Sequence, residues 1–496
     1  MTDQRPKDGM PPLAPDNGNP LYRQIYDRFR GAIAQGTLAP GDRVPSARAL
    51  AKEMGVARGT VEVAYSLLVA EGYIQARGQA GTIVAPDLQP QAPPAAVLPV
   101  PETPDDGHGW HRPAVILPFQ MGVPALDEFP RKLWARLGAR QLRGLQAPDL
   151  SYPPSNGLMG LRTAVAAYLQ VARGIHCQPS EVFITSGYNH SMQLVMQALL
   201  APGDRVWVED PGYPPTRALL AQARMQAAPV PVDQDGMMVA EGIARCADAK
   251  AAVVTPAHQS PLSMSLSLPR RQALLEWAER RQAWIVEDDY DGEYRYASRP
   301  LPALKSLDAQ GRVLYAGSFS KVLFPGMRLA YLVVPGAQVA RFDRICRLLS
   351  GTAPGLTQSI LSAFMTEGHF GRHIQRMRRL YGERRNATAA GLAAALGPDM
   401  RIDPQPGGMH LVARMDGRQW DQPLAARMRE QGMYAHALSR WSSLPNPHEG
   451  LLLGFTNIAS ETQAHALGLR IKALMATTRN VRSDISVSVN CSRACS

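Results

Sequence analysis

Six short apolar runs, at 182–185, 205–208, 251–254, 283–286, 312–316 and 329–334, are separated along the chain by stretches of helical character. Strands that alternate with helices build a doubly wound, largely parallel sheet, so the chain is read as an α/β protein over this region. Sheets of this kind bind ligands outside the carboxyl ends of their strands. The residues that follow each run are therefore where chemistry is expected.

After Val313-Leu314-Tyr315-Ala316 comes Gly317-Ser318-Phe319-Ser320-Lys321, and then Arg328. A lysine held at a strand end is partly desolvated, which is what a Schiff-base lysine needs to lose its proton near neutral pH. Ser318, Ser320 and Arg328 are donors for a phosphate dianion beside it, with Arg328 offering a planar fork. Upstream, Ala283-Trp284-Ile285-Val286 ends in Glu287-Asp288-Asp289-Tyr290. A carboxylate there, Asp288, suits a pyridinium nitrogen, and Tyr290 suits a phenolic oxygen. Thr185-Ser186-Gly187-Tyr188 turns from a strand into a helix, so the backbone N–H groups of Gly187 and Tyr188, with Ser186, face an anion. Either stretch alone is an ordinary surface lysine or acidic turn; together they point to pyridoxal phosphate.

Ser318-x-Ser320-Lys321 followed seven residues later by Arg328, with Asp288-x-Tyr290 upstream, resembles the fold-type I aminotransferases. The resemblance implies a small C-terminal α+β domain, carried by Gly407-Gly408-Met409-His410 and by Leu451-Leu452-Leu453-Gly454-Phe455. It implies Lys321 as the catalytic lysine and Tyr213, in Asp210-Pro211-Gly212-Tyr213, as the aromatic stacked on the pyridine ring. It places Tyr152 in a cofactor site across a dimer interface and makes Arg440 the candidate for a substrate or effector carboxylate. The weakest match is Thr255-Pro256-Ala257-His258-Gln259-Ser260-Pro261-Leu262-Ser263. There Ser260 stands where an aromatic is common, and Leu262-Ser263 replaces Thr-Gly. The basic stretch from Phe370 to Arg385 reads as a helix with a solvated or interface face.

At the other end, Leu21, Ile25, Phe29 and Ile33 recur every four residues and predict an amphipathic helix stopped by Gly36 and Pro40-Gly41. Ser46 N-caps a second helix that Gly55 ends, and a third begins at Arg58. Segments 72–74 and 81–84 suit a two-stranded β wing. The run from Pro20 to Ala85 resembles the winged helix-turn-helix of GntR regulators. By that resemblance Arg43, Ser46, Arg48, Arg58, Thr60, Arg77 and Gly78 face DNA. Arg58 suits a guanine edge, because arginine meets O6 and N7 with two hydrogen bonds, while Arg43, Arg48 and Arg77 suit phosphates. Gly59 stands where a polar residue is common.

A chain of 496 residues is too long for one ordinary domain. The expected plan is a flexible lead over 1–18, the DNA-binding head over 19–86, a Pro-rich linker over 87–118, the aminotransferase-like body over 119–478 and a disordered tail over 479–496. The five cysteines show no paired metal-ligand spacing, which favours a reducing compartment, and no metal is expected. With no apolar run of about 18 residues and a polar N-terminus, the protein is expected in the cytoplasm and off membranes. A formal charge of +11 favours polyanionic partners without naming one.

Head, tether and body in this order resemble the MocR-type subfamily of GntR regulators. That resemblance implies a pyridoxal phosphate-binding transcription regulator, dimeric through its body, acting on a double-stranded DNA operator in response to the cofactor or a small amino compound. The competing expectation is an aminotransferase carrying the head as an appendage, with residual or full transamination.

Overall fold

The computed structural model describes residues 19–78, 81–88, 115–296, 302–349, 353–403, 407–415, 420–445 and 448–476. The expected lead, most of the linker, the tail, Cys491 and Cys495 lie outside the described residues. The chain falls into two units, Met1–His111 and Arg112–Ser496.

In the first unit, α1 (Leu21–Ala34), β1 (Arg43–Val44), α2 (Ala47–Met54), α3 (Arg58–Ala70), β2 (Ile74–Ala76) and β3 (Thr82–Val84) follow in order. The strands form an antiparallel sheet, β1-β3-β2, and the wing is the β2–β3 pair. Ser46 Oγ accepts from Ala49 N at 3.2 Å, and Gly55 closes α2 at φ +64°, a left-handed conformation that glycine adopts without a Cβ penalty. The buried face of α1 is Ile25, Tyr26, Phe29 and Ala32, whereas Leu21 is exposed and Ile33 half-buried. This corrects the expected every-four stripe: at 3.6 residues per turn the packed face drifts along the helix. Phe29 meets Tyr65 edge-on at 5.5 Å, tying α1 to α3.

In the second unit, α4 (Arg131–Gly144) and α5 (Met159–Arg173) precede β4 (Val182–Thr185), α6 (Tyr188–Leu199), β5 (Arg205–Asp210), α7 (Pro214–Gln222), β6 (Gln226–Asp233), β7 (Gly236–Met237), α8 (Val239–Arg245), β8 (Ala251–Val254), α9 (Leu268–Arg281), β9 (Trp284–Asp289), β10 (Val313–Ser318) and β11 (Ala330–Val333). The sheet order is β4-β11-β10-β9-β8-β5-β6-β7. Pairs β5·β6, β5·β8, β8·β9 and β9·β10 are parallel, and β11 runs antiparallel to both β4 and β10. The carboxyl ends of β4, β5, β8, β9 and β10 consequently share one edge. All six expected runs are strands. The sequence does not predict β6, since Pro229 and Pro231 mask its alternating burial and prolines within a run argue against a strand.

The chain continues through α10 (Val339–Leu349), α11 (Gly355–Thr366) and the long α12 (His369–Leu396). It then forms a small antiparallel sheet, β12-β13-β15-β14, from β12 (Arg401–Asp403), β13 (His410–Arg414), β14 (His436–Ala437) and β15 (Gly450–Gly454), with α13 (Asp421–Glu430) beside it. Its core packs Leu411, Leu424, Leu451 and Leu453 with Tyr381 and Leu392 of α12. On α12, Arg378 Nε donates to the Glu293 carbonyl at 3.0 Å, and Arg384 reaches Asp127 at 2.9 Å. Part of that basic face is thus pinned to the body. No helix among the described residues is long and apolar enough to cross a membrane.

Candidate functional site

Register brings the site together. Thr185, Ala330 and Ser318 lie opposite one another across β4, β11 and β10, while Ala316 pairs with Asp288 and Gly317 with Asp289. Ser318 ends β10, and its Oγ accepts from Ser320 N at 3.2 Å. Lys321 follows, donating from Nζ to the Gly122 carbonyl at 2.8 Å. A Cβ on Gly122, at φ +68°, would fall 2.3 Å from that Nζ, so a side chain there would both strain the backbone and displace the amine. Gly317 is likewise confined, since a Cβ there would meet the Tyr331 ring at 2.3 Å.

Alternation along β9 sends Asp288 and Asp289 to opposite faces. Asp289 pairs with the buried Arg173 at 2.9 Å and accepts from Tyr315 Oη at 2.6 Å. Asp288 instead lines a cleft with Tyr188, Glu209, Tyr213, Thr216 and Arg217. Burial pushes the Asp288 carboxyl well above its usual range, the Asp289, Glu209 and Asp291 charges add to that, and Lys321 opposes it. A carboxyl so placed favours a cationic partner. Tyr290 Oη lies 3.0 Å from His258 Nδ1.

Gly187 sits at φ +131° immediately before α6, and Arg328 comes to it from β11's approach: a Cβ on Gly187 would lie 3.2 Å from Arg328 Nη2. Backbone donors at a helix N-terminus beside a guanidinium form an anion cradle. Ser186 Oγ lies 3.2 Å from His190 Nδ1, and burial lowers the pKa of His190. Tyr213 meets the Tyr188 ring at 5.7 Å and the Trp441 ring at 5.8 Å, and Tyr188 Oη lies 2.6 Å from Thr216 Oγ1. The small domain is fastened here. Asp210 accepts from Ser443 N at 2.7 Å, and Gly212 N donates to the Trp441 carbonyl at 3.0 Å. Arg440, one residue before Trp441, is exposed. Tyr152 is 99% exposed in the loop before α5 and touches none of these groups within its own chain, so any role in the site requires a second copy.

The weakest sequence match proves ordered. Ser260 N donates to Thr255 Oγ1 at 3.0 Å, and Ser263 adopts φ +71° with its N bonded to the Gln259 carbonyl at 2.7 Å. Serine thus fills a left-handed position in a turn, where glycine would be free of strain. Sequence reasoning missed Glu209, which accepts from Thr255 Oγ1 at 2.5 Å and whose carboxyl burial pushes up to about 7. It ends an apolar run as Asp288 does, and the same strand-end rule would have found it.

On the first unit, Arg43, Ser46, Arg48, Arg58, Arg77 and Gly78 are exposed and Thr60 is half-buried. Arg58 opens α3 with its Nε 2.8 Å from Glu62 Oε1, and its side chain stays largely in solvent. Gly78, at φ +56°, forms the wing turn, with Arg77 N donating to the Gly81 carbonyl at 2.8 Å.

Residues 21–84 match the gntR family of bacterial regulatory proteins, and residues 120–444 match aminotransferase class I and II. Among similar proteins, the probable rhizopine catabolism regulatory protein MocR of Rhizobium meliloti is 34% identical over 92% of this chain and 94% of its own length. The HTH-type pyridoxine biosynthesis transcriptional regulator PdxR of Corynebacterium glutamicum is 31% identical over 91% and 95%. LysN of Thermus thermophilus, an alpha-aminoadipate aminotransferase solved with N-(5'-phosphopyridoxyl)-L-leucine, matches with a TM-score of 0.67 at 26% identity, covering 74% of this chain and 93% of LysN. An archaeal alanine:glyoxylate aminotransferase gives the same TM-score at 25% identity, over 73% and 91%. A head of one family and a body of the other, joined in one chain and aligned with MocR almost throughout, make this chain a member of the MocR-type subfamily of GntR transcription regulators, DNA-binding regulators with a fold-type I aminotransferase-like body.

Proposed function

We propose that the body binds pyridoxal 5'-phosphate at Lys321 and that the bound cofactor, or an amino compound meeting it there, governs how the head holds its operator. The observation that carries this reading is the convergence of Lys321, Asp288 and the Gly187–Arg328 cradle on one sheet edge. The donor set suits the chemistry of the group: an amine for the aldehyde, a buried carboxyl for the ring nitrogen, and a helix N-terminus backed by a guanidinium for the phosphate ester.

When bound, pyridoxal phosphate supplies a carbonyl carbon for an amine and a ring that draws electrons from it. Lys321 would contribute the amine. Asp288 would hold the proton at the ring nitrogen, Tyr290 would donate to the phenolic oxygen and Tyr213 would cover the ring face. Ser186, Gly187, Tyr188, Ser318, Ser320 and Arg328 would donate to the phosphate oxygens. Arg440 is assigned to an effector carboxylate, and Tyr152 to the site of a partner copy in a homodimer. The exposed Leu150, two residues before Tyr152 in the chain, and the exposed Leu142 of α4 are consistent with that face. In the head, Arg58 reads a base edge, with Thr60 beside it on α3. Arg43, Arg48 and Arg77 meet backbone phosphates, with Ser46 and Gly78 also facing the duplex, in a cytoplasmic regulator whose domains divide at 86 and 118.

The test is a DNA-binding titration of the full chain on its selected operator, with and without pyridoxal phosphate and then with a panel of amino compounds. A change in affinity that Lys321→Ala abolishes supports the reading; equal affinity throughout refutes it. The alternative, an aminotransferase, is favoured by the intact lysine and carboxyl pair. It requires multiple turnover between an amino donor and a keto acceptor.

A further inference from the structure

Against Tyr290 packs a buried pair that the assignments above leave unused. His258, 6% exposed, places Nδ1 3.0 Å from Asp291 Oδ1 and 3.0 Å from Tyr290 Oη. Asp291 is 1% exposed. His258 Nε2 and Asp291 Oδ2 are both buried without a hydrogen-bond partner among the described residues. The small domain closes over the imidazole edge: a Cβ on Gly408, at φ +80°, would fall 2.0 Å from His258 Cε1 and 2.5 Å from Nε2. Only bare glycine backbone fits there.

Both ring nitrogens have surroundings that choose between a proton and a lone pair. A hydrogen on Nε2 would be a buried donor with no acceptor among the described residues, which is unfavourable. A lone pair on Nδ1 would face the Asp291 carboxylate, which wants a donor. Both select the neutral Nδ1–H form, with Nδ1–H donating to Asp291 Oδ1 and shared with the Tyr290 oxygen. The Tyr290 hydroxyl can then only accept from His258. The Ser260 hydroxyl is a further hydrogen-bonding neighbour of Tyr290. With its oxygen serving as acceptor toward His258, its own proton points away from the imidazole.

We propose that His258, held by Asp291, is a positioning residue that turns the Tyr290 hydroxyl proton into the cofactor cleft, where it donates to the phenolic oxygen of bound pyridoxal phosphate. This rests on the cofactor reading given above and deepens it. The arrangement follows the logic by which a carboxylate fixes the tautomer of a histidine that then fixes a third group. Here the third group is a phenol.

The experiment is a pH titration of the visible absorption of the full chain loaded with pyridoxal phosphate. A donor to the phenolic oxygen stabilises its negative charge, so loss of that donor raises the pH at which the chromophore gives up its proton. Tyr290→Phe is expected to raise the midpoint by about one unit, a tenfold change in proton affinity. Asp291→Asn keeps the shape but turns a donor toward His258 Nδ1, inverts the tautomer, and is expected to raise the midpoint by a similar amount. The double variant is expected to add little, because both changes remove one interaction; a purely structural role for Asp291 would add in full.

His258→Asn, whose amide N–H takes the place of Nδ1–H, is expected to keep the midpoint near wild type, and His258→Leu to raise it. This pair decides the matter even if Asp291→Asn does not fold. Other titratable or charged groups near Tyr290 and His258 are Asp288 of β9, Glu209 of β5 and His410 of β13, whose ring lies 5.9 Å from His258. Arg295 also approaches, donating to the Ala257 carbonyl. All of these are common to every variant, so differences from wild type report the triad. If Tyr290→Phe moves the midpoint while Asp291→Asn and His258→Leu leave it in place, the positioning role is wrong and the cofactor reading stands. If the wild type shows no visible band, both fail.

Discussion

Glu209 shows how one buried group can set a pH response. Its carboxyl is pushed from 4.5 to about 7, chiefly by burial and against hydrogen bonds from Thr255 and Gln259. Between those values the folded body keeps a proton that the unfolded chain has released. Its contribution to stability is therefore present below about pH 4.5 and lost as pH rises through about 7. Glu209→Gln, which still accepts from Thr255 and cannot titrate, is expected to remove this fall. Relative to wild type it should gain about 2–3 kcal/mol between pH 4.5 and 8, measured by denaturant unfolding at a series of pH values. The comparison with wild type matters, because His373, His410 and His436, each held near 4 by burial, make stability rise with pH over an overlapping range. At Gly122 the constraint is steric. Gly122→Ala forces a Cβ against Lys321 Nζ in a left-handed backbone, and is expected to weaken pyridoxal phosphate binding about tenfold or more, read from a spectral titration.

Among the elements, α2 depends on its ends. Ser46→Ala removes the acceptor for Ala49 N and is expected to cost about 1 kcal/mol, seen as faster hydrogen exchange at the start of α2 in the full chain. Should exchange there stay unchanged, the cap is not holding the helix. Both that cap and the Gly55 stop are legible in the sequence because capping is local chemistry. So are the six strands and the residues after them, since a short apolar run and its flanking residues are adjacent in the chain. What stays hidden depends on distance. The His258–Asp291–Tyr290 contact joins two loops, and Gly408 reaches it from the segment before β13. Glu62 holding Arg58 is a side-chain contact at helical spacing that a motif reading passes over. Periodicity puts Leu21 in the core, but packing begins one turn later.

For the whole molecule, two heads carried on a dimeric body would fix the separation of two half-sites. Inserting about five base pairs between the half-sites of a selected operator puts them on opposite faces of the duplex and is expected to weaken binding about tenfold or more, while about ten restores the facing. Equal binding to all spacings would mean that the heads act singly. Contacts to phosphates should also make affinity fall as salt rises, and Arg48→Ala should flatten that dependence by about one unit of slope. The chemistry proposed for the body can be reached without knowing the effector or the operator. The full chain is incubated with pyridoxal phosphate, reduced with borohydride and mapped by peptide mass spectrometry. The expected result is one phosphopyridoxyl group on the peptide containing Lys321, absent in Lys321→Ala; a label on other lysines, or none at all, would contradict the account.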